Sequence, residues 1–374
     1  EEMRGAGLIV DRIARDDNTL LLAEAVPNAH MRSGEGGWAA VREPTCRARV
    51  DFVCPSYVPF DAEEHLRGPL GGSEEAVVHL APRLRRIGWD VAVWTNLGGD
   101  NDEEDRRVRV RHDVSWRPLA EFDASEDRAA LIVWRATELL KLPEWRDAPG
   151  ARIAWLHDAV LLGARDALEE ADAVLVLSDH HDRVMRELCA DPSRVAWRRF
   201  RNGIAPEDFP EPDEAARYPR AAIYTSSPDR GLETLLDLWP RIREAVPEAT
   251  LHVCYGFGSA RRMRRGASRD QREFLVDLEG RILPRLRAMD ADGVVYHDGI
   301  SHPDLHAIMS RCGVWAYPLG PSPVETYCIS AAKALACGLW PVTTDAGALR
   351  ETPFDGTILP AEALLEDWGR EMYL

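Results

Sequence analysis

No stretch of about 18 consecutive apolar residues occurs in this chain, so nothing in it could cross a bilayer as a helix and no integral membrane segment is expected. Cys-x-x-Cys pairs are also missing. The seven cysteines, Cys46, Cys54, Cys189, Cys254, Cys312, Cys328 and Cys337, are odd in number, scattered, and several stand in apolar runs. That excludes a disulfide framework and reads as reduced, buried thiols in a cytoplasmic protein. No Cys/His cluster has zinc-like spacing; the pairs His180-His181 and His302…His306 read as surface or capping residues. No Asp-x-Asp is set in an apolar strand, where a divalent ion could be held, and no metal or cofactor is expected. Net basic charge is absent too. The formal charge is −17, which disfavours nucleic acid, although Arg198-Arg199-Arg201 and the Arg261 to Arg272 segment are local basic clusters that could grip an anion.

What is present is a globular balance over 374 residues, 45% hydrophobic and 29% charged, enough for two domains. The N-terminal apolar run, Gly7 to Val10, is too short for a signal peptide, so secretion is not expected. Residues 1–48 read as an extension of unknown role. A first domain at 49–205 opens on a buried strand, Arg49 to Cys54, followed by the Gly-rich turn Gly68-Pro69-Leu70-Gly71-Gly72. Ser73 is the expected N-cap of a helix with Glu74 and Glu75 in its first turn, stopped by Gly88. Strands follow at Asp90 to Thr95, Ala130 to Trp134, Arg152 to Leu156 and Ala173 to Leu177. Residues 206–219, rich in proline and acid, read as a linker. A second domain at 220–362 repeats the alternation, with strands at Ala221 to Tyr224, Thr250 to Cys254, Gly293 to Tyr296, Val314 to Tyr317 and Trp340 to Thr343. Its helices are expected at Gly231 to Ala245, Asp304 to Ser310 and Ile329 to Ala336, and residues 363–374 read as a closing helix. Strand and helix alternating twice over predict an α/β chain of two Rossmann-like domains, with a ligand cleft at the carboxyl ends of the strands.

The most informative segment runs from Pro323 to Gly338. Glu325 precedes a helix built of small residues, Ser330, Ala331, Ala332, Ala334 and Ala336, whose first free N–H groups form an anion site fit for a diphosphate. Tight helix-on-sheet packing explains the small residues equally well.

This segment resembles the signature of the retaining GT-B glycosyltransferases known as family 4, in which a Glu, seven residues and a second Glu precede Cys-Gly-x-Pro-Val. Glu325 holds the first position and Cys337-Gly338-Leu339-Trp340-Pro341-Val342 the end, but Lys333 replaces the second Glu. The resemblance implies that Glu325 contacts the transferred sugar. It places the ribose hydroxyls at position 333, where an ammonium donates and cannot accept as a carboxylate does. Lys333 is then open to ribose, phosphate or another partner. Arg230 stands where the family has a Lys that binds diphosphate, while Ser226 and Ser227 occupy the place of an earlier basic residue. His157, after a strand, resembles the family's His at the donor sugar, and Gly71-Gly72 its glycine-rich loop. Asn202-Gly203-Ile204 with Phe209 resembles the end of its first domain. Gly256 and Gly299 lie in stretches that would line the nucleotide, and Tyr327, Cys328, Ile329 and Ser330 open the diphosphate helix.

The resemblance thus implies a retaining, metal-independent hexosyl- or pentosyltransferase. The donor would be a UDP-, GDP- or ADP-sugar, held as substrate and not as cofactor. Catalysis is expected from Glu325, His157 and Arg230. The acceptor reads as a glycan or small glycoside, with a nucleic-acid acceptor left open. A GT-B epimerase or phosphorylase and a non-catalytic sugar-nucleotide binder are the alternatives.

Overall fold

The computed structural model describes residues 48–56, 59–97, 108–161, 163–210, 213–258, 261, 264, 268–320, 325–352 and 356–361. The extension expected at 1–48, apart from its last residue, and the closing helix expected at 363–374 lie outside them. Two compact units emerge. One gathers the described residues up to Ala62 with Val77–Leu177 and Met185–Arg201; the other gathers Glu63–Ala76, Ser178–Val184 and the described residues from Asn202 onward. A reading along the chain cannot anticipate the two short insertions, because they join the second unit through contacts remote in sequence.

The first unit carries an eight-stranded sheet. Its strands are β1 (Arg49–Cys54), β2 (Asp90–Thr95), β3 (Arg109–Arg111), β4 (Val114–Pro118), β5 (Ala130–Trp134), β6 (Ala151–Trp155), β7 (Ala173–Val176) and β8 (Trp197–Arg199). They lie in the order β3-β4-β2-β1-β5-β6-β7-β8, parallel except for the β3–β4 hairpin. Strand β5, Ala-Leu-Ile-Val-Trp, is buried throughout, as a central parallel strand covered on both faces must be.

The second unit carries β9 (Tyr218–Tyr224), β10 (Thr250–Val253), β11 (Val294–Tyr296), β12 (Cys312–Tyr317), β13 (Trp340–Thr344) and β14 (Thr357–Leu359). They form a wholly parallel six-stranded sheet in the order β11-β10-β9-β12-β13-β14. The chain leaves β9 toward β10 and β11, then returns to pair β12 on the other side of β9. The topological switch point therefore lies between β9 and β12, and the loops after those two strands flank the place where open α/β sheets bind ligands.

Each sequence-predicted strand lies within two residues of its expected start apart from β9, which begins three residues early. The helix Ile329–Ala336 has the expected bounds. The long helix Arg269–Ala288 was not anticipated. Ser268 and Gln271 form a capping box at its start, but only Leu278, Ile282 and Leu286 are buried along its length, too sparse an apolar stripe to read through its many charges. The helix after the Gly-rich turn begins at Gly72, one residue before the expected cap Ser73, with the Gly71 carbonyl accepting the Glu75 N–H at 2.9 Å. The six described cysteines are buried. Among the described residues no helix is long and apolar enough to cross a membrane.

Candidate active site

Burial of Tyr224, Trp315 and Tyr317 at the carboxyl ends of β9 and β12 fixes the loops that follow them. The Tyr224 hydroxyl contacts the carbonyls of Ser227 (2.6 Å) and Arg230 (2.9 Å), which folds 225–230 into a tight loop. Gly231, at φ +92°, ends that loop and begins the helix Leu232–Ala245. A Cβ there would lie 2.2 Å from the Pro318 carbonyl oxygen, so the loops after β9 and β12 touch backbone to backbone at a point that only glycine permits. On the other flank, the Trp315 indole donates to Thr225 Oγ1 at 3.0 Å, and Ser330 Oγ donates to the Thr225 carbonyl at 3.3 Å. The start of the helix Ile329–Ala336 is thereby tied to the same loop.

Glu325 sits in this frame, 4% exposed. Its carbonyl accepts the Ala348 N–H at 2.9 Å, and Gly347 packs so closely that a Cβ would come within 2.5 Å of the Glu325 carbonyl oxygen. Its carboxylate accepts from the Tyr317 hydroxyl at 3.0 Å and lies 3.5 Å from the Arg230 guanidinium. Ser226 Oγ donates in turn to the Tyr317 hydroxyl at 3.3 Å. Burial alone would pull the Arg230 guanidinium down, but the Glu325 carboxylate and Tyr317 outweigh it and hold its pKa above the ordinary arginine value. Burial pushes the Tyr317 phenol well above its usual range, so it remains a donor to the carboxylate. The same cause raises the Cys328 thiol, which leaves the residue capping the small-residue helix without thiolate character. A carboxylate, a cation and a helix N-terminus converge within one loop cluster.

Sequence reading pointed to Glu325, Arg230 and Ser226, and the structure brings these together. Ser227 enters only through its backbone carbonyl, which accepts from the Arg230 N–H and the Tyr224 hydroxyl, and its own hydroxyl contacts Asp229. Gly256 and Gly299 lie at the carboxyl ends of β10 and β11, where a Cβ on Gly256 would be 2.6 Å from the Gly299 N–H nitrogen. Gly71 and Gly72 precede and begin their helix; Gly72 rests against Ile329, whose Cδ1 would lie 3.2 Å from a Cβ. Tyr327 is half-buried beside Cys328. His157 belongs to the first unit, after β6, with its ring 4.6 Å from that of Trp155 and 5.9 Å from that of Trp134. Next to it Arg135, a non-glycine residue at φ +64°, holds Asp158 through two nitrogens at 2.6 and 2.8 Å.

Lys333 has a different setting. Its ammonium lies 2.8 Å from Glu75 Oε2, with both side chains 6% exposed. Glu75 Oε1 in turn lies 3.6 Å from His302 Nδ1. His302 Nε2 meets the Leu70 carbonyl at 3.3 Å, and His306 Nδ1 meets the Asp208 carbonyl at 3.0 Å. These histidines are not the surface residues expected from sequence: His302 and His306 are buried, as is His181. Four residues apart on the helix His302–Met309, His302 and His306 share one inward face. Burial, aided by the Lys333 charge, holds His302 down to about 3 and also lowers His306, so both rings are neutral near pH 7. Tyr317, Glu75, His302 and Arg135 were not singled out from sequence. Tyr317 reads as one more core residue in an apolar strand, and Glu75 as a first-turn acid. Only the His302…His306 spacing gave a signal. Among the described residues no group of His, Cys, Asp or Glu is placed to hold a metal ion.

No protein-family model matches the sequence, and a search of curated proteins finds no match. Solved structures do match. Sucrose-phosphate synthase from Thermosynechococcus elongatus is similar at 17% identity and a TM-score of 0.64, over 87% of this chain and 92% of that one. The UDP-forming α,α-trehalose-phosphate synthase from Burkholderia vietnamiensis is similar at 12% identity and a TM-score of 0.59, over 87% and 91%. HepE from Anabaena, solved in complex with UDP-glucose, is similar at 16% identity and a TM-score of 0.56, over 87% and 94%. What these likenesses establish is the fold: two parallel-sheet, Rossmann-like domains of the GT-B type.

Proposed function

We propose that this chain is a glycosyltransferase that moves a sugar from a nucleoside-diphosphate sugar to an acceptor hydroxyl, with retention of anomeric configuration and without a metal. The observation that carries the reading is the buried Glu325 carboxylate, contacted by Tyr317 and Arg230 at the switch point of the second sheet and directly before a helix N-terminus. That set has the parts a sugar transfer requires. The diphosphate would take the first N–H groups of the helix Ile329–Ala336 and the Arg230 guanidinium, which matches phosphate oxygens bidentately. As the sugar–phosphate bond breaks, negative charge builds on the leaving diphosphate and positive charge on the sugar ring; Arg230 meets the first and Glu325 the second. Retention follows if the leaving phosphate oxygen accepts the acceptor's proton on the face it vacates. Two of the proteins sharing the fold make phosphorylated disaccharides by name, and a third was solved with UDP-glucose, which supports a nucleotide-sugar donor. The acceptor is assigned as a glycan or a small glycoside, the class the sequence reading favours.

Incubation with labelled UDP-, GDP- and ADP-glucose tests this. Slow hydrolysis of one donor is expected without acceptor, and a panel in which no nucleoside diphosphate raises the melting temperature at millimolar concentration would sink the reading. Two observations favour a second reading, a non-catalytic sugar-nucleotide binder: Lys333 is engaged by Glu75, and Ser227 brings no cation to the loop. Binding without turnover is its outcome in the same assay.

A further inference from the structure

The helix Asp179–Leu188 is closed twice at its N-terminus. Ser178, just before it, accepts the His181 N–H through Oγ at 2.9 Å, the ordinary local cap. The two preceding amides are taken by a carboxylate 172 residues further along the chain: Glu351 Oε2 accepts the Asp179 N–H and Oε1 the His180 N–H, each at 2.6 Å. One oxygen meets each amide, at the short separation of charge-assisted bonds and at the positive end of the helix dipole. A serine cap serves the helix locally, whereas a carboxylate from so far away also constrains the segment that carries it.

That segment is the turn Gly347–Glu351, and its other end holds Glu325. Ala348, 1% exposed, donates its N–H to the Glu325 carbonyl, and a Cβ on Gly347 would lie 3.1 Å from Glu325 Cβ. Leu349 between them is fully buried. Ala348 and Glu351 are three residues apart, about 6 Å at the 2 Å rise of a 3-10 helix, so this buried single turn moves as one piece. The chain before the turn is anchored on β14, where Asp345 donates its N–H to the Leu359 carbonyl and accepts the Ala361 N–H, both at 2.9 Å. Glu351 supplies the anchor at the far end. Direct contacts thus run from the Asp179 and His180 amides through Glu351 and the turn to the Glu325 backbone, all within the second unit.

We infer that Glu351 is a positioning residue for Glu325: by fastening the turn Gly347–Glu351 to the helix Asp179–Leu188, it fixes the backbone from which the Glu325 carboxylate is aimed. It touches no substrate in this role. The inference rests on the function proposed above, in which Glu325 meets the positive charge of the sugar ring. Tyr317 and Arg230 hold the tip of the Glu325 side chain and Ala348 holds its backbone. Loosening the backbone end tilts the carboxylate and removes no group assigned to the diphosphate. A misplacement of about 1 Å caused far from the chemistry can lower a rate about 100-fold.

Amide hydrogen exchange of the full chain, read over residues 178–182 and 346–350 in Glu351→Gln and Glu351→Ala, tests the link without any turnover. Gln keeps the shape but turns an amide nitrogen toward one of the two N–H groups; Ala removes both acceptors. Exchange should quicken at Asp179, His180 and Ala348 by about tenfold or more, as for a lost hydrogen bond to a charged group, while the amides of β9 and β12 keep wild-type protection. In the labelled-donor assay turnover should fall about 10- to 100-fold, with nucleoside diphosphate affinity unchanged. Unaltered exchange at Ala348 in both variants would overturn the inference, as would faster exchange there with normal turnover. Loss of protection in β9 and β12, or of nucleotide binding, in both variants would assign Glu351 to the stability of the unit, and the positioning role would fall. A wild type that hydrolyses no donor would overturn the proposed function instead, and exchange at Ala348 alone would then decide the link.

Discussion

Lys333 Nζ lies 2.8 Å from Glu75 Oε2, both side chains 6% exposed. A charge-paired carboxylate thus stands beside position 333, where the resembled signature carries a carboxylate of its own. Removing one member leaves the other charge buried alone, which costs about 3–5 kcal/mol, whereas an exchanged pair retains the attraction. Lys333→Ala should therefore lower the urea midpoint strongly. The exchanged double variant Glu75→Lys with Lys333→Glu should recover much of the loss. A double variant no more stable than the worse single one would argue that the pair is not coupled.

Glu325 and Arg230 divide the work in the proposed reaction, and their substitutions should separate. Glu325→Gln keeps the side-chain volume and should lower turnover about 100-fold or more, in the range for loss of a preorganised charge, with nucleoside diphosphate affinity changed less than about threefold. Arg230→Ala should weaken both, because its guanidinium is assigned to the diphosphate. Donor hydrolysis and calorimetry on the same preparations distinguish the two patterns, and equal effects from both substitutions would contradict the roles.

The strands and the Glu325 loop were legible in the sequence because their signals are local. Val-Ile-Leu runs between turn residues announce buried parallel strands, the small-residue helix is read from its composition, and Glu325 and Arg230 were singled out by the resemblance to the family signature. What was not legible depends on contacts between segments remote in the chain. Glu75 and Lys333 are separated by more than half of the sequence, and nothing near either names the other. Tyr317 has a strand's worth of apolar neighbours, so its hydroxyl bond to Glu325 is invisible without the fold. His302 and His306 were read as surface or capping residues because their spacing matches no zinc pattern, yet the helix turns both inward.

Gly231 joins the two loops of the site at φ +92°, with the Pro318 carbonyl oxygen 2.2 Å from where a Cβ would stand. Left-handed backbone costs an L-residue about 1–2 kcal/mol, and here the new methyl also meets backbone that cannot rotate away. Gly231→Ala should lower the melting temperature and, by parting the loops, reduce turnover too. An unchanged melting temperature would show that the loops are not held together at this point.

His302 gives the second unit an acid-sensitive element. Its unfolded value lies near 6.5, and burial with the Lys333 charge beside it lowers the folded value to about 3. Glu75 opposes that shift, while His306 and His65 add to it. With a depressed folded pKa the unfolded state binds the extra proton, so stability rises with pH across this range. The contribution is complete above about pH 6.5 and is lost progressively as pH falls toward 3. Urea midpoints at pH 7.5, 6 and 5 should decline in the wild type and decline less in His302→Gln. Parallel declines would place the acid sensitivity elsewhere.

Tyr317→Phe isolates a single hydroxyl. The ring keeps its place in the core of β12, where it lies 5.2 Å from Trp315 and 6.1 Å from Tyr224, so the fold should persist. What goes is the 3.0 Å bond to the Glu325 carboxylate and the 3.3 Å link from Ser226. A hydrogen bond to a charged group contributes about 1.5–3 kcal/mol. If it serves to aim the carboxylate at the sugar, turnover should fall roughly tenfold or more for that loss. Nucleoside diphosphate affinity should hold, since Arg230 and the helix N-terminus are untouched. Ser226→Ala, one bond further away, should produce the same pattern at smaller amplitude. A Tyr317→Phe protein that turns over normally would mean that Arg230 and the backbone clamp at Ala348 suffice to position Glu325.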